Sequence, residues 1–361
     1  MAGVVASGEN YRRRGPIAVR IQTLLPAYFA LVMATGIVGI AAHLEGLELL
    51  AQVLTWLNTA AFIILCALTA ARIVLYPRAF FRDFSDFDRG PGFFTLVAGA
   101  GVLGSEWLTV YANWIVALIL WLVAIPLWCC FMYGVFTSFI VREHKPLLAD
   151  GINGGWLIAV VATQAVSGLG SLLSPEFTHY QNAVLFFALS MWLCGGMLYI
   201  WLISLIFYRY TFFRFLPSDL MPSYWINMGA MAISTLSGAL LIERAPAADF
   251  LANMLPFLRG FTLFFWATAT WWIPMLVILG FWRHVVKKFR LAYDPLYWGA
   301  VFPLGMYSAC TYRLVEAMNL RFLAWLPVAF LYIALAAWLA TFAGLVRRLA
   351  AVFRPAPGPA V

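Results

Sequence analysis

The chain has 361 residues, a length that on its own would suggest two soluble domains. Hydrophobic residues make up 64% of it and charged residues 11%, against about 45–50% and about 25% in soluble domains. So few charges cannot cover a water-exposed surface, which excludes a soluble enzyme, a disordered chain and a disulfide scaffold, and leaves lipid as the solvent. The formal charge of +8 would fit nucleic acid in a soluble protein; here it predicts membrane orientation instead, and no nucleic-acid partner.

Ten apolar runs are each long enough to cross a bilayer, which takes about 20 residues. They lie near 24–43, 50–75, 92–110, 114–140, 154–173, 181–207, 223–242, 254–282, 297–317 and 321–346. Each is expected to be a helix, because lipid offers no partner for a free backbone N–H or C=O. The predicted class is an all-α integral membrane protein. A cytoplasmic N-terminal tail is expected over 1–20, a ten-helix domain over 21–350 and a cytoplasmic C-terminal tail over 351–361. The first twenty residues are polar and basic, with no apolar core of a cleavable signal.

Alternate loops sort the charge. One set, from Arg12 through Arg72, Arg82, Arg142, Arg209 and Lys287 to Arg354, holds 19 of the 23 basic residues. The opposite set holds only Arg244, Arg259, Arg313 and Arg321. Basic loops stay in the cytoplasm, so both termini are predicted there, with Glu45 and Asp249 on the other side. An inner, plasma-type membrane of a bacterium is the expected location.

The odd-numbered runs are short and rich in Gly, Ala, Ser and Thr, as in PAYFALVMATGIVGIAAH and SYWINMGAMAISTLSGALLI; the even-numbered runs are greasier. Starts near 24, 92, 154, 223 and 297 read as five quasi-repeated helical hairpins. Small residues permit close helix packing and bulky ones can meet lipid. The odd helices are therefore expected to form an inner ring that either packs solid or encloses a central pore. In the second case Thr35, Gly101, Ser105, Thr163, Gln164, Ser167, Ser234, Thr235, Ser237 and Ser308 are candidates to line it. His43, Glu106, Arg313 and Glu316 sit near the outer ends of their helices as mouth candidates, with Arg313 and Glu316 spaced to face each other.

The five cysteines, Cys66, Cys129, Cys130, Cys194 and Cys310, lie in apolar runs and are expected to be small buried hydrophobes. No spacing suits a metal, no histidine pair suits a haem, and no nucleophile or phosphate motif appears. Neither a cofactor nor an enzymatic activity is predicted. Pro303 in VFPLGMYSACTYRLVEA lacks an N–H and crowds the carbonyl of Gly299, which predicts a kink. The adjacent Phe302 then either plugs a narrow axis or packs as one of 30 phenylalanines.

PAYFALVMATGIVGIAAH in the first run, FPLGMYSACTYRLVEA in the ninth and the ten-span layout together resemble the tellurite-resistance/C4-dicarboxylate transporter family. That family includes the bacterial tellurite-resistance protein, fungal malate permeases and sulfite efflux pumps, and the plant slow-type anion channels. The resemblance covers roughly residues 20–350. It implies a homotrimer in which each protomer has its own pore, surrounded by proline-kinked inner helices. It implies that Phe302, beside Pro303, gates the pore and that Gly36 and Gly39 keep it open. The function expected is a channel or permease for small inorganic or organic anions of the chloride, nitrate, C4-dicarboxylate, sulfite or tellurite class. A proton-coupled dicarboxylate or sulfite carrier using Glu106, Arg313 and Glu316 is the alternative. A solid membrane scaffold is a third reading.

Overall fold

The computed structural model describes residues 16–290 and 293–353. Most of both predicted tails, with Arg12, Arg13, Arg14 and Arg354, lies outside the described residues. Ten long helices follow one another: α1 (Ala30–Leu44), α2 (Glu48–Leu75), α3 (Phe94–Tyr111), α4 (Trp114–Ile140), α5 (Ile158–Leu173), α6 (Gln181–Phe212), α7 (Ile226–Arg244), α8 (Leu255–Phe281), α9 (Trp298–Met318) and α10 (Trp325–Phe353). No strand occurs among the described residues. Nine helices among them are long and apolar enough to cross a membrane. The exception is α9, whose 21 residues suffice in length but carry Gly, Ser, Thr, Arg313 and Glu316.

The odd helices close a ring. α1 packs on α3 and α9, α3 on α5, α5 on α7, and α7 on α9. Each odd helix is entered through a 3₁₀ turn, at Pro26–Phe29, Gly90–Phe93, Gly154–Leu157, Pro222–Trp225 and Pro295–Tyr297. These five turns touch one another in the same cyclic order. The inner helices therefore run parallel, with all their N-termini at the end that carries the basic loops. The even helices pack outside them: α2 on α1 and α3, α4 on α3 and α5, α6 on α5 and α7, α8 on α7, and α10 on α9 and α1. In the most apolar stretch of each span, 94% of α5 residues are buried against 17% of α2 residues. Trp56, Ile63, Phe186, Trp201 and Trp271 point outward, as lipid allows.

With lipid outside, apolar burial alone does not hold such helices together; close packing and hydrogen bonds do. A Cβ on Gly101 would lie 2.8 Å from that of Ala165, and one on Gly229 would lie 2.7 Å from Pro303 Cγ. Outer side chains also bond to the inner ring. Trp338 Nε1 donates to Thr35 Oγ1 at 3.0 Å, Trp128 Nε1 to Thr163 Oγ1 at 2.8 Å, Trp192 Nε1 to the Ser234 carbonyl at 2.8 Å, and Trp266 Nε1 to Thr311 Oγ1 at 3.0 Å.

The basic loops have a structural use as well. Arginines at the ends of outer helices donate to carbonyls in the segments leading into inner ones. Arg72 reaches Gln22 at 3.1 Å, Arg209 reaches Ala149 at 2.6 Å, Arg283 reaches Leu220 at 2.5 Å, and Arg142 reaches Ser85. Arg72 and Arg89 also clamp Asp83 of the short helix Pro77–Phe84, at 2.6 and 3.0 Å.

Three expectations are corrected. Among the inner helices only α9 holds an interior proline; the other interior prolines are Pro126 in α4 and Pro274 in α8, both outer helices. The remaining inner helices place proline or glycine in the entry turn, where no i−4 bond is lost. Cys129 and Cys130 are exposed, and only Cys310 is fully buried, since a thiol facing lipid needs no protein cover. The longest helices also overrun the predicted limits, α6 to Phe212 and α10 to Phe353.

Candidate functional site: an axial cavity in the inner ring

A narrow cavity of about 30 Å³ lies on the axis of the inner ring, lined by all five odd helices. That volume holds a small ion or a few waters, since about 10–15 Å³ by this measure accommodates one water. The lining follows helical stripes: Ile37, Ile40 and Leu44 on α1; Gly101, Ser105 and Thr109 on α3; Gln164, Gly168 and Leu172 on α5; Ile233, Ser237 and Leu240 on α7; Met306 and Arg313 on α9. Spacings of three, four and seven keep one face of a helix toward the axis. The cavity occupies the C-terminal half of the inner helices, away from the basic end. Ile37, Gln164 and Met306 at its depth are fully buried, whereas Leu44, Thr109, Leu172 and Arg313 at its outer end are partly exposed.

Phe302 is four residues before Met306 on α9, so it shares that face about 6 Å nearer the basic end. Its side chain is fully buried. The other stripes, continued by the same turn, carry Met33, Val97, Val160 and Gly229, all buried. This layer below the cavity is wholly apolar.

The sequence-predicted lining residues divide. Gly101, Ser105, Gln164 and Ser237 line the cavity. The others do not. Thr35 and Thr163 accept from outer tryptophans. Ser167 donates to the Ala188 carbonyl at 2.7 Å and Ser308 to that of Pro327 at 2.7 Å. Ser234 and Thr235 bond back to carbonyls one turn earlier, Ala230 and Met231. A hydroxyl at membrane depth is satisfied most readily by a carbonyl close by, so small polar residues mark the ring without marking its axis. Two of the three cavity hydroxyls are also bonded internally, Ser105 to the Gly101 carbonyl and Ser237 to that of Gln164, both at 2.9 Å, which leaves that of Thr109 at the outer end.

Gly36 and Gly39 also turn from the axis. A Cβ on Gly36 would lie 2.6 Å from Asn58 Nδ2, and one on Gly39 would strike Glu106 Oε1. Glu106 itself is not at the mouth. It is fully buried between α1, α2 and α3, accepts from Asn58 Nδ2 at 2.7 Å on Oε2, and leaves Oε1 without a partner. The two glycines make room for this carboxyl group.

The mouth differs from the expectation too. Arg313 does not pair with Glu316. Its Nη1 lies 3.6 Å from Glu243 Oε2 on α7, and both side chains are 26% exposed. Glu316 is exposed, and His43 sits beside Glu48 at 2.9 Å, outside the cavity lining. Glu243, Asn58, Thr109 and Met306 escaped sequence reasoning. Of these, Thr109 and Met306 were recoverable from the i+4 stripes through Ser105 and Phe302; Glu243 and Asn58 meet their partners only through the packing of different helices.

A closed ring of membrane-length helices around an axial cavity defines an all-α integral membrane protein. Residues 23–346 match the voltage-dependent anion channel family, SLAC1, and the chain belongs to that family. An uncharacterized membrane protein of Mycobacterium tuberculosis is 38% identical over 154 residues, 43% of this chain and 78% of the relative. An uncharacterized transporter of Methanocaldococcus jannaschii is 24% identical over 327 residues, 89% of this chain and 93% of the relative. The sulfite efflux pump of Trichophyton rubrum is 22% identical over 360 residues, 93% of each.

Proposed function

We propose that the protein is a channel or permease carrying small anions along the axis of its inner ring, with Phe302 as the constriction. The observation that carries this reading is the axial cavity, to which every inner helix contributes and in which Arg313 is the one charged lining residue among those described. Membership of an anion channel family and similarity to a sulfite efflux pump support it. A guanidinium favours anions over cations, and the apolar layer at Phe302 can stop ions by excluding water. This reading includes a bacterial inner membrane with both termini cytoplasmic, which the charge asymmetry of the loops supports. Assembly into a homotrimer rests on the family resemblance.

A proton-coupled carrier is the second reading, favoured by the fully buried carboxyl of Glu106, whose Oε1 has no partner, one residue from Ser105 of the cavity. Flux of chloride, nitrate, sulfite and malate into proteoliposomes, with and without a pH gradient, tests both. Passive flux of small anions that ignores the gradient supports the channel. Uphill uptake driven by the gradient and lost in Glu106→Gln supports the carrier. No flux of any anion refutes both.

A further inference from the structure

The outer end of the cavity holds a charge arrangement that a plain conduit does not need. Arg313 lines the void, and Glu243 does not. The carboxylate approaches the guanidinium from the neighbouring helix at 3.6 Å, beyond normal hydrogen-bond distance, so the two attract without a bond. Arg244, next along α7, and the exposed Glu316, one turn beyond Arg313, complete the local charges. Most other donors in the lining are engaged inside the protein; Gln164 Oε1 has no partner but can only accept, and Thr109 adds one neutral hydroxyl at the outer end. Ser105 and Ser237 donate to carbonyls, and Gln164 Nε2 donates to the Trp192 carbonyl at 3.0 Å. Arginine carries five donors in a planar fork suited to oxyanions. Among the described residues it is the one cation in the lining and the strongest group there for an entering anion, and a carboxylate of the protein already competes for it.

We propose that Arg313 is the anion-contacting residue of the cavity mouth and that Glu243 is its built-in competitor, a tethered carboxylate that a small, singly charged anion must displace. This rests on the transport reading above and adds how entry is regulated. With Glu243 beside Arg313 the mouth is close to neutral, so anions gain little by entering at low concentration. At higher concentration an anion replaces the carboxylate, which swings to its water-exposed side. Removing the carboxylate leaves an uncompensated guanidinium and tighter anion binding, without a change to the apolar layer below.

The test uses the full-length protein in detergent and in liposomes. Potassium nitrate is titrated against potassium gluconate at constant ionic strength, and the melting temperature reports binding, since a ligand that binds only the folded state raises it. Glu243→Gln should lower the half-saturating nitrate concentration about fivefold, the effect of an ion pair near the top of the range for partly exposed pairs. Glu243→Asp, which keeps the charge but shortens its reach, should fall between and serves if the glutamine variant does not fold. Arg313→Gln should abolish the nitrate response, and adding Glu243→Gln to it should restore nothing. Glu316→Gln should shift the titration less than twofold. Equal shifts for Glu243→Gln and Glu316→Gln would reduce the effect to surface potential and overturn the proposal, as would a normal nitrate response in Arg313→Gln. Nitrate flux in liposomes separates the two levels. Binding that follows the expected pattern without flux refutes the transport reading alone, and flux with unaltered titrations refutes the competitor alone.

Discussion

Phe302→Ala is the sharpest perturbation of the proposed conduit. The ring is fully buried, one turn and about 6 Å below Met306 at the floor of the cavity, in a layer otherwise formed by Met33, Val97, Val160 and Gly229. Gly229 supplies no side chain, and Pro303 fills the space its Cβ would occupy, so the ring is the largest group in the layer. Truncation should extend the cavity by about a full turn toward the basic end. Water can enter a void that communicates with a wet one, which removes the dry barrier to ions. A gain of tenfold or more in anion flux is expected, equivalent to lowering the barrier by about 1.4 kcal/mol. Phe302→Leu should give a smaller gain, because an apolar group remains. A packed core phenylalanine predicts something different: a loss of about 3–5 kcal/mol of stability on the soluble-protein scale, with no added flux. Flux in proteoliposomes beside a thermal melt in detergent distinguishes them. An alanine variant that melts early and conducts like the wild type would refute the gate.

Further outcomes are expected elsewhere in the molecule. Gly154→Ala would bring a Cβ to 2.6 Å from the Ser223 carbonyl oxygen and 2.7 Å from Tyr224 Cα. Backbone cannot yield as a side chain can, so the variant should lose about 1–3 kcal/mol in a detergent melt, while Gly260→Ala, with nothing nearby, should be neutral or better. Asp88, in the loop before α3, is raised above the usual carboxylate range by partial burial and then by Asp86, against the opposing bond from Asn153 and the charge of Arg209. A raised acid contributes stability below its unfolded value and loses it as pH rises through its folded value. Asp88→Asn should therefore raise the melting temperature slightly at pH 7 and leave it unchanged near pH 3. The charge sorting predicts that cysteines at Arg82 and Lys287 are shielded from an impermeant reagent on intact cells and that cysteines at Glu45 and Asp249 are labelled; labelling at position 82 or 287 would invert the orientation.

Much of this protein is determined by composition and pattern. With charged residues at 11%, lipid must be the solvent, and lipid admits only helices or closed barrels, so the spans follow from apolar length. The predicted run 114–140 coincides with α4, and 223–242 falls within the turn and helix at Pro222–Trp225 and Ile226–Arg244. The small-residue runs marked the inner ring for the same reason, because only they let five backbones approach. What their side chains do there was decided by tertiary structure. Thr35 and Ser105 read alike in sequence, yet one meets Trp338 and the other the cavity, since which face turns inward depends on where the outer helices lie. Glu106 read as a mouth residue because it is near a helix end; packing buries it against Gly36, Gly39 and Asn58. Arg313 had a plausible partner three residues along its own helix, and the fold paired it with Glu243 instead. Local spacing determines which contacts a helix can make. Only the placement of neighbouring helices determines which of them form, because the energy of a buried charge or hydroxyl depends on partners far away in the chain.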